Sequence, residues 1–231
     1  MSRIKSINAQ LKRAKELLPK IETEYEHSLN KKEIEEDLKL DIQTYCGHLR
    51  SILDYLAKDI VETHCPNFDT KKQLYFPITA DAASFNKMMT DKYPDLATNC
   101  KDLYDFLESI QPYKSDTNRW LSQFNKVNNE NKHNDLVEQT RTESRTVKVT
   151  SKKGGGSVSW GPGVTFGGGV SVMGVPIDPR TQMPVPNETT TTQVTIWVDF
   201  KFDGINVSAH GLLRQTLSGI ENIVDNVTNK L

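Results

Sequence analysis

The chain has 231 residues, with 29 Lys and Arg against 30 Asp and Glu, a formal net charge of −1 and 36% hydrophobic residues. That length supports a sizeable core, and the near-zero charge excludes a global basic field for nucleic acid, leaving only a local patch. No run of about 18 apolar residues occurs, which excludes an obvious membrane-spanning helix.

Residues 3–29 carry Ile4, Ile7, Leu11, Ala14, Leu18, Ile21 and Tyr25 at alternating spacings of three and four. This is a narrow apolar seam of the bundle or coiled-coil type. Pro19 falls inside it and predicts a kink, or the first turn of a second helix. The charged start, Met-Ser-Arg-Ile-Lys-Ser, has no apolar stretch of the signal-peptide kind, so the chain reads as cytoplasmic. A longer pattern runs from Lys31 to about Thr63 through Ile34, Leu38, Tyr45, Leu49, Ile52, Leu53, Leu56 and Ile60. Joined near Asn30, the two predict an antiparallel hairpin, the second arm roughly 50 Å long.

His64-Cys-Pro-Asn-Phe breaks the pattern, and Tyr75-Phe-Pro-Ile78 reads as an extended anchor with its aromatics packed on the helices. Residues 82–91 and 95–110 predict shorter helices, the second ending at Gln111-Pro-Tyr113. Ser115 or Asp116 then caps a further helix carrying Trp120, Phe124 and Val127. That apolar pattern runs into five asparagines, two lysines and a histidine between Asn125 and Asn134. Asparagine competes for backbone hydrogen bonds and ranks low in helix propensity, so such a density of amides points to a polar task.

After about Thr140 the period changes from helical to two. Thr146–Thr150, Ser157–Trp160 and Thr189–Phe202 predict strands, with glycines 154–156 and 167–169 as turns. Leu212–Leu231 returns to helical spacing, and a lone amphipathic helix must dock its stripe on another element. The fold expected is mainly α: a helical bundle over residues 1–139, an antiparallel β-rich, glycine-containing insertion over 140–206, and a C-terminal helix over 207–231 returning to the bundle. A helical domain followed by a separate α+β domain is the rival arrangement.

His133 is the first candidate for chemistry, since a histidine at the edge of a core can titrate near neutrality and serve as acid or base. The plainer alternative is a capping histidine that ends the helix beside Asn128 or Asn131. Arg50 and Asp54, four apart on the long helix, flank the apolar stripe and can pair. Arg50 could then bind phosphate while Asp54 orients it, or the two could form an ordinary flank salt bridge. Between Arg141 and Lys153 stand five basic residues against the single acid Glu143. Arg141, Arg145 and Lys148 are therefore candidates for a nucleic-acid backbone contact. Cys46, Cys65 and Cys100 have no metal-ligand spacing and fit reduced thiols. No phosphate-cradling glycine motif opens a helix, so neither metal nor cofactor is expected.

The succession Leu49-Arg50-Ser-Ile-Leu-Asp54-Tyr-Leu-Ala57, Phe76-Pro-Ile78, Gln111-Pro-Tyr113 and Asn128-Asn129-Glu-Asn-Lys132-His133 resembles uncharacterised bacterial helical proteins related to the HEPN superfamily. The resemblance covers about residues 30–138. It implies a four- or five-helix bundle, often a homodimer. Many such proteins are metal-independent RNases of toxin–antitoxin or antiviral defence systems, and others only bind nucleotides or proteins. The family's catalytic motif sets an arginine five or six positions before a histidine on one helix. Here His133 matches the histidine, whereas Asn128 or Val127 stands at the arginine's place and Lys126 is seven positions away. Arg50 or Lys132 would have to supply the missing charge, with Asp54, Asn128 and Asn129 in support. The expectation is a protein that binds RNA or a nucleotide between helices. The alternative is a non-catalytic interaction module, dimerising through the N-terminal seam and offering the β insertion to a protein partner.

Overall fold

The structure is a computed structural model that describes residues 3–31, 34–133, 139–161, 163–202 and 205–231. Within its helices and strands the side chains of residues 29–31, 130–133, 140, 141, 144, 195–198 and 200 lie outside the description. The chain forms two compact units, one of residues 1–140 with 200–231 and one of residues 141–199. The fold is mainly α with small antiparallel sheets.

In the first unit, α1 (Ile4–Lys31) and α2 (Glu36–His64) pack along their length. The α1 seam faces inward. Ile7, Ala14 and Ile21 are fully buried, Tyr25 nearly so, and Leu11 and Leu18 are partly buried against the same core. Its partners are α2 and α7 (Ala209–Thr228). The seam is therefore packed within one chain. Pro19 sits inside α1, which is a single continuous element, so the second helix allowed by the sequence does not form.

The helix expected over 82–91 is α3 (Ala82–Lys92), capped where the Asp81 carboxylate accepts from the Ser84 amide at 2.7 Å. The one expected over 95–110 is split into α4 (Leu96–Asn99) and α5 (Lys101–Ser109). Cys100 takes an extended φ of −151° between them, and Asn99 Nδ2 donates to the His64 carbonyl at 2.8 Å. A tertiary hydrogen bond thus accompanies a break that periodicity does not signal. Ser115 caps a 3-10 turn over Asp116–Asn118, which leads into α6 (Arg119–His133). Trp120, Leu121, Phe124, Val127 and Asn128 form its buried face.

Helix α7 starts at Ser208, whose hydroxyl accepts from the Gly211 amide, and it docks on α1, α2 and α6. The buried Tyr45 hydroxyl on α2 donates to the Leu213 carbonyl of α7 at 2.9 Å. Where α7 crosses α6, Gly219 faces Trp120, and a Cβ there would lie 2.6 Å from Cε2 of the indole. The ring has no flexible end to withdraw.

The long strands β1 (Gln139–Ser151) and β6 (Thr190–Phe202) run through the boundary between the units. With β2 (Ser157–Trp160) and β7 (Val207–Ser208) they make a sheet of order β2-β1-β6-β7. The pairs β1/β2 and β6/β7 are antiparallel, with Val147 opposite Trp160 and Phe202 opposite Val207. β3 (Ser171–Val172), β4 (Val175–Asp178) and β5 (Met183–Pro184) form a second, small antiparallel sheet. Val147, Val149, Trp160 and Ile177 make the second unit's own small core. No helix among the described residues is long and apolar enough to cross a membrane.

Gly219→Ala is expected to destabilise the protein by on the order of 2 kcal/mol through overpacking against Trp120, despite the helix-propensity gain of about 1 kcal/mol. Urea unfolding followed by circular dichroism measures it; a variant as stable as the wild type would mean that α6 and α7 do not meet this closely.

Candidate functional site

Among the described residues, Arg50 is the centre of a place where several sequence-selected residues converge. It projects from α2 with only 7% of its surface exposed. A buried guanidinium loses its hydration and needs both a countercharge and acceptors. Asp54, one turn along α2, puts Oδ1 3.2 Å from Nη2, and Asn125 on α6 accepts from Nη1 through Oδ1 at 2.8 Å. The Asp54 contact is a charge pairing without hydrogen-bond geometry, so this buried Oδ1 has no hydrogen-bond donor of its own. The rest of the Asp54 side chain is a third exposed.

These groups border a cleft of about 580 Å³ lined by Arg50, Asp54, Asn125, Asn129, Tyr75, Phe76, Ile78 and Met88. The volume is in the range of small-ligand sites. One wall is polar and comes from α2 and α6. The other is apolar and comes from α3 and the extended segment 75–78. Tyr75 is 47% exposed and Phe76 is buried, so only the phenylalanine fulfils the expectation that both aromatics pack inward.

The segment is held in place by a residue whose positional role no local spacing signals. Gln111 is fully buried. Its Nε2 donates to the Pro77 carbonyl at 2.9 Å and to the Leu107 carbonyl at 2.8 Å. Its Oε1 accepts from the Thr79 amide at 2.9 Å and the Thr79 hydroxyl at 3.1 Å. Tyr93 secures the other end, its hydroxyl donating to the Tyr75 carbonyl at 2.6 Å. Burial pushes the Tyr93 phenol well up, which keeps that donor protonated. Gln111 thereby ties Phe76-Pro-Ile78 to Gln111-Pro-Tyr113, two motifs more than thirty positions apart.

The other candidates are distributed as follows. Asn129 is exposed and lines the cleft, while Asn128, about 100° round the helix, is 2% exposed with its Nδ2 unpartnered. His133 is the last residue of α6, and its side chain and that of Lys132 lie outside the described residues. Helix positions 125, 129 and 133 follow one another about one turn apart. His48 is not in the cleft: its Nδ1 meets Gln10 of α1, and burial, then Arg13, lowers its pKa. In the second unit the basic run does not form one stripe. Strand alternation puts Arg145 on the side of the buried Val147 and Val149, and Lys148 on the other. Arg145 donates to the Thr181 carbonyl at 3.0 Å, Lys148 is exposed, and the Arg141 side chain lies outside the described residues.

Asn125 was the missed member of the site. Its signal was present: it stands four positions before Asn129, on the face away from Trp120, Phe124 and Val127. Cys46, Cys65 and Cys100 are free thiols, and burial pushes Cys46 and Cys65 up to about 12. Among the described residues no group of three His, Cys, Asp or Glu side chains could hold a metal ion. No protein-family model, no curated protein and no solved structure matches the chain.

Gln111→Leu keeps the volume but leaves the Thr79 amide and the Pro77 carbonyl buried and unpaired. It is expected to cost on the order of 2–4 kcal/mol, read by urea unfolding; a loss within 0.5 kcal/mol, about the scatter of a neutral surface change, would show that water replaces the amide.

Proposed function

We propose that this chain is a HEPN-like helical protein that binds RNA or a nucleotide, and that the ligand's base enters the cleft between α2, α6 and segment 75–78. The observation that carries this is the state of Arg50. Its charge is balanced by Asp54 and one of its N–H groups is occupied by Asn125. The cleft therefore offers little net field to a phosphate. It offers amides and a carboxylate on one side and apolar walls with a half-exposed tyrosine ring on the other. Unstacked bases are held in that way, by hydrogen bonds to their edges and stacking on an aromatic.

The resemblance extends the proposal to a metal-independent endoribonuclease. His133, one turn beyond Asn129, would activate the 2′-hydroxyl or protonate the leaving oxygen. Arg50 is already engaged, so the phosphate-holding role passes to Lys132.

One experiment covers both steps. Purified protein, Tyr75→Ala and His133→Ala are titrated with a short mixed-sequence single-stranded RNA in EDTA, and the RNA is then examined for cleavage. The wild type is expected to bind saturably and to cleave, Tyr75→Ala to bind roughly 10-fold more weakly, the loss of about one base stack, with unchanged melting, and His133→Ala to bind without cleaving. Absent binding, or no effect of Tyr75→Ala, rejects the cleft as the site; binding with no cleavage by the wild type rejects the ribonuclease alone.

A second function, a non-catalytic protein-interaction module, is favoured by the distribution of exposed apolar side chains. Of the seven large ones among the described residues, Val158, Val164, Val170, Val185 and Val194 all belong to the β-rich second unit. A protein that ignores RNA and self-associates in sedimentation equilibrium would follow this alternative.

A further inference from the structure

The polar wall of the cleft has a donor–acceptor order, and the order selects among bases. Asn125 gives its amide oxygen to Arg50 Nη1, so its NH2 is the group it has left for a ligand. Asp54 presents a carboxylate, an acceptor at both oxygens. Both side chains line the cleft. A matching ligand edge therefore carries one acceptor for the amide donor and, beside it, two N–H donors for the carboxylate. Guanine presents that edge, with O6, N1–H and the 2-amino group in line. Adenine and cytosine each place a ring-nitrogen acceptor where the carboxylate needs a donor. Uracil has one N–H between two carbonyls.

The position of Asp54 adds a second reason. Its Oδ1 is buried 3.2 Å from Arg50 Nη2, ion-paired but outside hydrogen-bond geometry, so it keeps acceptor capacity for a donor. The terminal torsion of an aspartate is soft. Reading two parallel N–H donors requires a rotation that brings Oδ1 into line with the outer oxygen. We infer that the cleft is a guanine site, with Asp54 reading N1–H and the 2-amino group and the Asn125 amide donating to O6. This rests on the base-binding role proposed above.

Affinities for GMP, IMP, AMP, CMP and UMP, measured by titration calorimetry on the full chain and on Asp54→Asn, test it. GMP is expected to bind at least about 10-fold more tightly than AMP, CMP and UMP, in line with the value of one bidentate base contact. IMP, which keeps N1–H but lacks the 2-amino group, should fall between. Asp54→Asn should bring GMP down to the level of the others. Equal affinity for all five, or IMP equal to GMP, overturns the guanine assignment and leaves base binding standing. No binding of any nucleotide, together with no binding of RNA, overturns base binding itself. The wild-type ranking decides the matter even where Asp54→Asn does not fold.

Discussion

A guanidinium placed among helices must be neutralised and hydrogen-bonded, and Arg50 imposes that requirement on everything around it. Its 7% exposure makes an unpaired charge untenable. Asp54 answers from the next turn of the same helix, and Asn125 answers from α6. The second of these links two elements 75 positions apart and sets which face of α6 looks at α2. Once that face is set, Trp120, Phe124 and Val127 point into the core, and Asn129 is left at the cleft. The dense asparagines of this helix are then intelligible. An amide pairs with a cation by hydrogen bonding and adds no charge of its own, which a carboxylate at 125 would.

The opposite wall depends on a second buried polar group. An extended segment such as 75–79 has no ladder partners of its own, and its amides and carbonyls would be orphaned in the interior. Gln111 resolves this with its donor and acceptor ends on Pro77 and Thr79, and Tyr93 adds the Tyr75 carbonyl. A rim built on buried hydrogen bonds holds its shape better than a free loop, which a site that discriminates by edge geometry requires. The network at Arg50 borders the cleft, and the one at Gln111 holds the segment that forms its other wall.

Much of this was readable from residue spacing, and the failures have definite causes. The three-and-four spacing from Ile4 to Tyr25 marked a buried stripe, because the side-chain period of a helix leaves few other arrangements. It could not say whether the cover comes from a second copy or from the same chain, and here α2 and α7 supply it. Pro19 allowed a kink or a second helix start, and α1 is one continuous element through it. The break at Cys100 has no local sequence signal and coincides with the Asn99 hydrogen bond to His64. In the basic run from Arg141, a period of two puts Arg145 and Lys148 on different sides of β1, which a reading along the chain does not show. At the candidate site, the Arg50–Asp54 spacing, the richness in asparagine and the place of Asn125 one turn before Asn129 were visible, whereas the partners of Asn125 and Gln111 were not, because each acts on a residue remote in sequence.

The sequence by itself determined the periodicities, and with them the helices, the switch to strands after about Thr140 and the return to a helix at the end. Local spacing decides these because each depends on residues only a few positions apart. Only the tertiary structure decided that Arg50, Asp54, Asn125, Asn129 and Tyr75 share one cleft, and that Arg50 arrives there already neutralised. Convergence of that kind depends on how α2, α6 and segment 75–79 pack, and packing is governed by contacts between residues far apart in the chain.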